Sequence, residues 1–507
     1  MGTVDNAALT AGSPAPPGLA YKSAQGRWVL LATVLGSAMA SIDATVVGIA
    51  LPAIGHDFGS SLATLQWVVT AYTLTLAGLL LFAGALGDKY GRKLVFLIGV
   101  IWFAVASLLC AVAPDSAFLI TARAVQGIGA ALLTPGSLAI IEASFRPDDR
   151  SRAIGAWSGL SGVGVAIGPF LGGWLIQAVS WRLIFVINLP LAVLVVAVAL
   201  RHVPESRDPA ATGKLDVTGG ALVTLGLVGL TYGLIEGPAK GWTHPGPLAA
   251  LLAGLVLLAA FVVWEHRAPA PMLQLSLFRS TQFTSANILT FIVYGALGGA
   301  LFLLPIQLIQ VSGYTPLQAG VSLLPITVIM LALSARSGAL AGRIGPRLQM
   351  SVGPVVIGLG LALFVRIGSS GNYLTEVLPA LVIFGLGLAT NVAPLTSTVL
   401  AAAPAEQAGM ASAINNDVAR AAGLIAVAVL PALAGLGGDA YLHKHTFNTG
   451  FHTASLISAG LCFAAGVLAA FTIRNPRKKP APEPVSSAER HCLHCALDSP
   501  PPQQAVE

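Results

Sequence analysis

Gly84-Ala-Leu-Gly-Asp88-Lys-Tyr-Gly91-Arg92-Lys93-Leu94 packs glycine and charge between two apolar stretches, 63–86 and 94–112. A near-copy, Gly338-Ala-Leu-Ala-Gly342-Arg-Ile-Gly345-Pro-Arg347-Leu348, separates two more, 317–335 and 348–367. A bilayer core about 30 Å thick takes roughly 20 residues at about 1.5 Å rise each, and these stretches are of that order. Outward from the two loops, similar stretches run nearly back to back: 29–51, 117–143, 154–179, 183–200, 217–235, 247–263, 283–311, 374–402, 410–436 and 451–473. The fourteen spans fall as six, two and six, and each copy of the loop follows the second span of a group of six. The two groups are therefore repeats of one unit. Parallel repeats of this kind rock against each other around a central site, so the repeat points to alternating access. One difference between the copies bears on chemistry, since Gly342 stands where Asp88 stands in the first.

Composition agrees. The chain is 55% hydrophobic and only 9% charged, whereas soluble proteins are about one-quarter charged. It is an all-α integral membrane protein, expected as two six-helix bundles with an inserted two-helix hairpin. Its parts are a tail (1–27), a first bundle (28–203), the hairpin (204–268), a second bundle (269–474) and a second tail (475–507). The net charge of +6 is spread over short loops rather than gathered in a patch, which excludes a nucleic-acid partner. Lys89, Arg92 and Lys93, then Arg146, Arg150 and Arg152, Arg201, Arg207 and Lys214, Arg267 and Arg279, and Arg336, Arg343 and Arg347 share one set of loops. Retention of Lys and Arg inside makes that side the cytoplasm of a cell-membrane protein with both termini cytoplasmic. The polar first 27 residues and the long first span do not read as a cleavable signal.

Cys110 and Cys462 lie within apolar spans and read as small hydrophobes. In the tail, His491-Cys492-Leu-His494-Cys495 has zinc-type ligands at close spacing but no second ligand pair, so no metal site is expected.

At the Gly84–Lys93 loop the chain resembles the major facilitator superfamily, specifically its fourteen-helix branch of drug:proton antiporters, matching at Gly84, Asp88, Gly91, Arg92 and Lys93. In that resemblance the loop is a conformational latch. Glycines let it turn tightly, Asp88 can accept hydrogen bonds from helix N-termini, and the basic residues can bind carboxylates or anionic lipid. Plain positive-inside anchoring explains the basic residues but neither Asp88 nor the glycines. Gly164-Val-Ala-Ile-Gly168-Pro169-Phe-Leu-Gly172-Gly173, in the fifth span, is similar to the antiporter motif of the exporter branches. Its small-xxx-small spacing serves helix packing as well, with Pro169 bending the helix. The Gly-Pro with trailing Gly-Gly exceeds what packing is expected to need, and the resemblance implies export.

The fourth span places Arg123 ahead of Val125-Gln126-Gly127-Ile-Gly129, resembling the family's segment with a membrane-embedded arginine. The first places Asp43 in Ile42-Asp-Ala-Thr-Val-Val-Gly-Ile-Ala-Leu-Pro52, also similar to that branch. Counted from the outer ends of their spans, both lie roughly 9 to 12 Å deep, so they can pair. A charge at such depth is costly on an isolated helix and must face protein or water. Burial and the neighbouring arginine act oppositely on a carboxylate, so a change in their separation can load or release a proton. The alternative is a permanent ion pair that only joins two helices. Glu142 reads as interfacial, and Asp417 and Arg420, three apart on one helical face, as a local ion pair.

Gln66, Trp67, Thr70, Tyr72, Thr73, Trp157, Ser161, Asn287, Tyr294, Asn391, Thr396, Asn415 and Asn416 are candidates for the wall of a substrate cavity, and equally for interhelical hydrogen bonds or an aromatic belt. The hairpin, with Glu236 near its outer end, reads as lying at the bundle edge outside the pathway. No phosphate-binding Gly-x-x-x-x-Gly-Lys-Ser/Thr, His-Glu-x-x-His or Gly-x-Ser-x-Gly occurs, so the chain is not read as an ATP-driven pump or a hydrolase. The expectation is a proton-coupled antiporter that exports amphiphilic small molecules, drugs or antibiotics among them, by rocker-switch alternating access. It needs no cofactor beyond the coupling proton, works as a monomer among membrane lipids, and takes neutral or monovalent cationic substrates because Arg123 offsets Asp43. Export of an endogenous lipid or secondary metabolite, or a sensor role without transport, are the alternatives.

Overall fold

A computed structural model describes residues 18–208, 215–269, 271–404, 407–438 and 442–475. The His491–Cys495 segment lies outside them. Among the described residues fourteen helices are long and apolar enough to cross a membrane. The first six are α1 (Ala24–Phe58), α2 (Leu62–Tyr90), α3 (Arg92–Ala111), α4 (Ser116–Ser144), α5 (Pro147–Ala178) and α6 (Leu183–His202). The hairpin is α7 (Val217–Lys240) and α8 (Pro245–Arg267). The last six are α9 (Thr281–Val311), α10 (Pro316–Ile344), α11 (Pro346–Arg366), α12 (Tyr373–Ala401), α13 (Ala408–Leu433) and α14 (Lys444–Thr472).

Several helices outrun their apolar stretches. Inside lipid the backbone must satisfy its own hydrogen bonds, and nothing obliges the helix to stop where the apolar residues do. Caps stop it instead. The α1 N-terminus is capped by Ser23 Oγ, which accepts from Gly26 N at 3.0 Å, and its C-terminus by Gly59 at φ 58°. Pro52 lies inside α1 without ending it. In α10 the helix breaks at Leu323, just before Pro325, whose ring cannot follow the preceding turn.

Packing repeats between the two groups. In the first, α3 and α2 lie on α4 while α5 and α6 flank α1; in the second, α11 and α10 lie on α12 while α13 and α14 flank α9. The ends of the described chain, at Leu19 and Asn475, share one face with the α2–α3, α4–α5 and α10–α11 loops, here the termini face, and the opposite one is the far face. Toward the far face a single apolar cluster joins both groups, with Val46, Val47 and Leu51 of α1 in it together with Leu303 of α9, Phe364 of α11 and Phe451 of α14. Toward the termini face the clusters are separate. Phe96, Phe103 and Phe145 belong to the first group, and Leu277, Phe283 and Met350 to the second. Gly155 and Gly159 of α5 and Gly342 of α10 have open space where a side chain would be. The two bundles therefore meet at the far face and part toward the termini.

At the edge of the bundles, α7 packs on both α2 and α13, where Leu74, Leu227 and Leu424 form one buried cluster, and so covers the seam between the halves. Trp67 Nε1 of α2 donates to Glu236 Oε1 of α7 at 3.0 Å, and Lys240 pairs with Glu236 at 3.1 Å.

Candidate functional site

Asp43 lies near the middle of α1, and its side chain is 1% exposed. Arg123 reaches it from α4, equally buried, with Nη1 2.5 Å from Oδ2. The same Nη1 donates to Gln126 Oε1 at 2.6 Å, while Gln126 Nε2 donates to Asp43 Oδ1 and to Ser107 Oγ of α3, both at 2.8 Å. Asn188 Nδ2 of α6 donates to the same two oxygens at 3.2 Å. Arg123 Nε donates to Val68 O of α2 at 3.1 Å, and its guanidinium stacks 4.3 Å from the centre of the Tyr72 ring. Five helices thus meet in one network around this carboxylate, with α4 and α6 bonding it directly and α2 and α3 bonding its partners. Each polar side chain that reaches Asp43 donates to it, which suits the ionised acid.

Local sequence explains the convergence. Arg123 and Gln126 are three apart and share a face of α4. A Cβ on Gly127 would collide with Thr75 and the Tyr72 carbonyl of α2, and one on Gly129 would lie 2.6 Å from Phe103 N of α3, so only glycine lets α4 settle that deeply. The break of α6 at Ile187 precedes Asn188. Because α1 continues past Pro52 to Phe58, Asp43 is about 22 Å from the far end of its helix, beyond the apolar stretch counted in the sequence. Asn188 and Ser107 carry no distinguishing mark in the sequence, where a small polar residue in an apolar span looks like any other.

The loop is held differently from expectation. Among the described residues the Asp88 carboxylate caps no helix; it accepts from Arg92 Nε at 2.8 Å, one turn on. The N-terminus of α3 is capped by Glu205, from the segment after α6, whose carboxylate accepts from Lys93 N and Leu94 N, both at 3.1 Å. That carboxylate occupies the space of a Gly91 side chain, and Gly91 has φ 127°. Arg92 N donates to Ser206 O at 2.9 Å and Asp208 N to Asp88 O at 3.0 Å. Lys93 Nζ donates to Leu200 O at 3.1 Å. The second copy repeats the device with a neutral group. Asn475, just after α14, fills the space beside Gly345 (φ 87°) and accepts from Arg347 N at 3.0 Å. Gly84 meets only ordinary contact with Pro135.

In α5, Gly164, Gly168 and Gly172 all face α1, against Ala38, Thr45 and Val46. Gly173 faces the other bundle, where Pro316 and Leu317 of α10 fill its side-chain space, and Gly320 of α10 abuts the Pro169 carbonyl in return. The trailing Gly-Gly is therefore a packing requirement after all, one glycine for each neighbour.

The cavity candidates divide. Gln66 is 5% exposed and its Nε2 donates across the seam to Val427 O of α13 at 2.6 Å. Thr70 is buried and bonded to the Gln66 carbonyl, Trp67 holds the hairpin, and Tyr72 lies under Arg123. Asn287 and Asn415 bond each other at 3.1 Å, and Asn415 also donates to Thr290 Oγ1 at 2.7 Å, joining α9 to α13. Asn391 is fully buried with neither amide atom partnered. Trp157, bonded to Ser37 Oγ at 3.0 Å, together with Thr73, Ser161 and Tyr294, remains half-buried, while Thr396 and Asn416 are exposed. Glu142 is exposed near the termini-face end of α4. Asp417 does not pair with Arg420: among the described residues no ion pair joins them, and Asp417 Oδ1 is buried without a hydrogen bond.

Comparison with known proteins places this architecture. The Major Facilitator Superfamily profile matches residues 33–428. The chain is 38% identical over 417 residues to multidrug resistance protein Stp of Mycobacterium tuberculosis (strain CDC 1551 / Oshkosh), covering 82% of this chain and 77% of that one. It is 35% identical over 441 residues to the tetracenomycin C resistance and export protein of Streptomyces glaucescens, covering 85% and 81%. Among solved structures it resembles the POT family transporter PepTSo (TM-score 0.64, 14% identity, 88% of this chain and 97% of that). It also resembles a bacterial homologue of the lysosomal transporter Spinster, in an inward-facing, unoccupied conformation (0.61, 17%, 89% and 97%). At such identities these two show the fold alone. With the profile covering most of the chain and the relatives aligned over four-fifths of it, the chain belongs to the Major Facilitator Superfamily and is a membrane transporter related to drug- and antibiotic-resistance exporters, not an enzyme.

Proposed function

We propose that the protein is a proton-coupled antiporter that exports amphiphilic small molecules, drugs or antibiotics among them, by rocker-switch alternating access. The observation that carries this reading is the buried Asp43–Arg123 pair, the centre on which five helices of one bundle converge. An ion pair so deep is costly to keep and needs a use. When the bundles rock and the arginine or its neighbours shift, Asp43 loses donors and takes up a proton; when the pair re-forms, the proton leaves. The Lys and Arg of the α2–α3, α4–α5 and α10–α11 loops make the termini face cytoplasmic in the cell membrane, and a form closed at the far face is then the inward-facing one. The Gly84–Lys93 loop, tied to the segment after α6, serves as the latch on the first bundle. Arg123 cancels the charge of Asp43, so neutral or monovalent cationic amphiphiles suit the cavity better than dications. The protein works as a monomer, with membrane lipids around it and no cofactor but the proton.

The test is uptake into inside-out vesicles containing the protein. Dye or antibiotic should accumulate when the lumen is acid and leave when a proton–potassium exchanger collapses the gradient. Uptake that ignores the proton gradient would overturn the coupling, and no uptake of any amphiphile would favour a sensor.

A further inference from the structure

Asp216 and Glu265, at the termini-face ends of α7 and α8, are 9% and 3% exposed. One oxygen of each is satisfied. Asp216 Oδ1 accepts from Gly219 N and Trp264 Nε1, both at 2.8 Å, and Glu265 Oε2 accepts from Leu273 N at 3.0 Å. The other two oxygens, Asp216 Oδ2 and Glu265 Oε1, are buried and have no partner. They share one small space. A side chain on Gly219 would put its Cβ 2.6 Å from the first and 2.7 Å from the second. Phe82 of α2 and Met272 close over the neighbouring Gly220.

Two ionised carboxylates cannot sit face to face in such a place without a compensating charge. Among the described residues the charged groups on the surrounding elements are Glu236 and Lys240 at the other end of α7, His266 and Arg267 of α8, Asp88 and Lys89 of α2, Asp417 and Arg420 of α13, and Arg279 beyond the linker; Lys214 lies outside the described residues. Among the described residues none makes a salt bridge to Asp216 or Glu265. A hard cation would need about six oxygen ligands, and the described residues hold no group of three His, Cys, Asp or Glu. A proton needs only the two oxygens present.

We propose that Asp216 and Glu265 form a proton-binding site in which one proton, taken from the solvent at the termini face, bridges Asp216 Oδ2 and Glu265 Oε1. Protonated, the pair clasps both ends of the hairpin to the segment that leads into the second bundle; deprotonated, the two charges repel and the clasp loosens. This site is separate from Asp43, and it stands whether or not transport is proton-coupled.

Infrared spectra of the purified full-length protein through a pH titration test it. The carbonyl stretch of a protonated carboxyl should persist to neutral pH in the wild type and lose intensity in Glu265→Gln, whose amide supplies its own donor, beyond any contribution removed by Asp417→Asn. Thermal stability of the wild type should fall as pH rises through the loss of that proton, because the folded state is the one that holds it, and the fall should be absent in Glu265→Gln. A wild-type spectrum without the band at neutral pH overturns the proposal even if the variants fail to fold. So does a band that survives unchanged in both Glu265→Gln and Asp216→Asn. Stability that follows added calcium or sodium and a chelator, rather than pH, would make the ligand a metal cation and overturn it as well.

Discussion

Arg123 is the residue on which the buried site depends most. Truncation to alanine would leave the Asp43 carboxylate in a protein interior with neutral donors only, and removing one partner of a buried pair costs about 3–5 kcal/mol. Arg123→Ala should therefore lower the thermal unfolding temperature in detergent far more than Asp43→Asn/Arg123→Gln, which removes both charges and keeps hydrogen-bonding groups. Equal stability of Arg123→Ala and wild type would mean that the pair does not hold the bundle. Asp43 and Arg123 are legible in the sequence because a charge in an apolar span is costly and must face protein or water. Asn188 and Ser107 are not, since their part is fixed by the break of α6 and by the approach of α3 to α4. Tyr72 stands out in the sequence as a cavity wall, whereas its ring is the face on which the guanidinium stacks.

At the scale of elements, Gly173 and Glu205 make separable predictions. Gly173 has the backbone of α10 where a side chain would be, so Gly173→Leu should wedge the bundles apart at the far face. An impermeant thiol reagent added from that side should then label a cysteine introduced by Leu317→Cys faster than in the otherwise wild-type background. Gly159→Leu, which points into open space, should leave the labelling unchanged. Labelling that stays the same in both would show that the Gly173 contact does not close the far face. Glu205 caps two backbone N–H groups of α3. Glu205→Ala should cost about 0.5–2 kcal/mol, in the range of a lost helix cap, seen as a lower unfolding temperature. Asp88→Asn should cost less, because an i,i+4 pair with Asp88 38% exposed is worth about 0–1 kcal/mol. If the order were reversed, Asp88 rather than Glu205 would be the anchor of the loop. The Gly84–Lys93 sequence marks the loop, yet it cannot reveal Glu205, which lies more than a hundred residues further on. Nor can apolar length show that α1 continues beyond Pro52 or that α7 covers the seam, since both depend on neighbouring helices.

At the scale of the molecule, the repeat of the Gly84 and Gly338 loops foretells two matched bundles, and the packing pairs of the first group recur in the second. What a repeat cannot convey is the conformational state. One core joins the bundles at the far face and two separate cores lie toward the termini, a difference set by side-chain contacts between helices remote in sequence. Alternating access requires this arrangement to reverse, and protonation of Asp43 is the event proposed to drive it. The most direct measurement compares wild type with Asp43→Asn in inside-out vesicles, following both proton-gradient-driven substrate uptake and gradient-free exchange of labelled for unlabelled substrate. Asp43→Asn should lose gradient-driven uptake and retain exchange, because the variant still binds and rocks but no longer titrates. Gradient-driven uptake at the wild-type rate in Asp43→Asn would contradict a coupling role for this carboxylate.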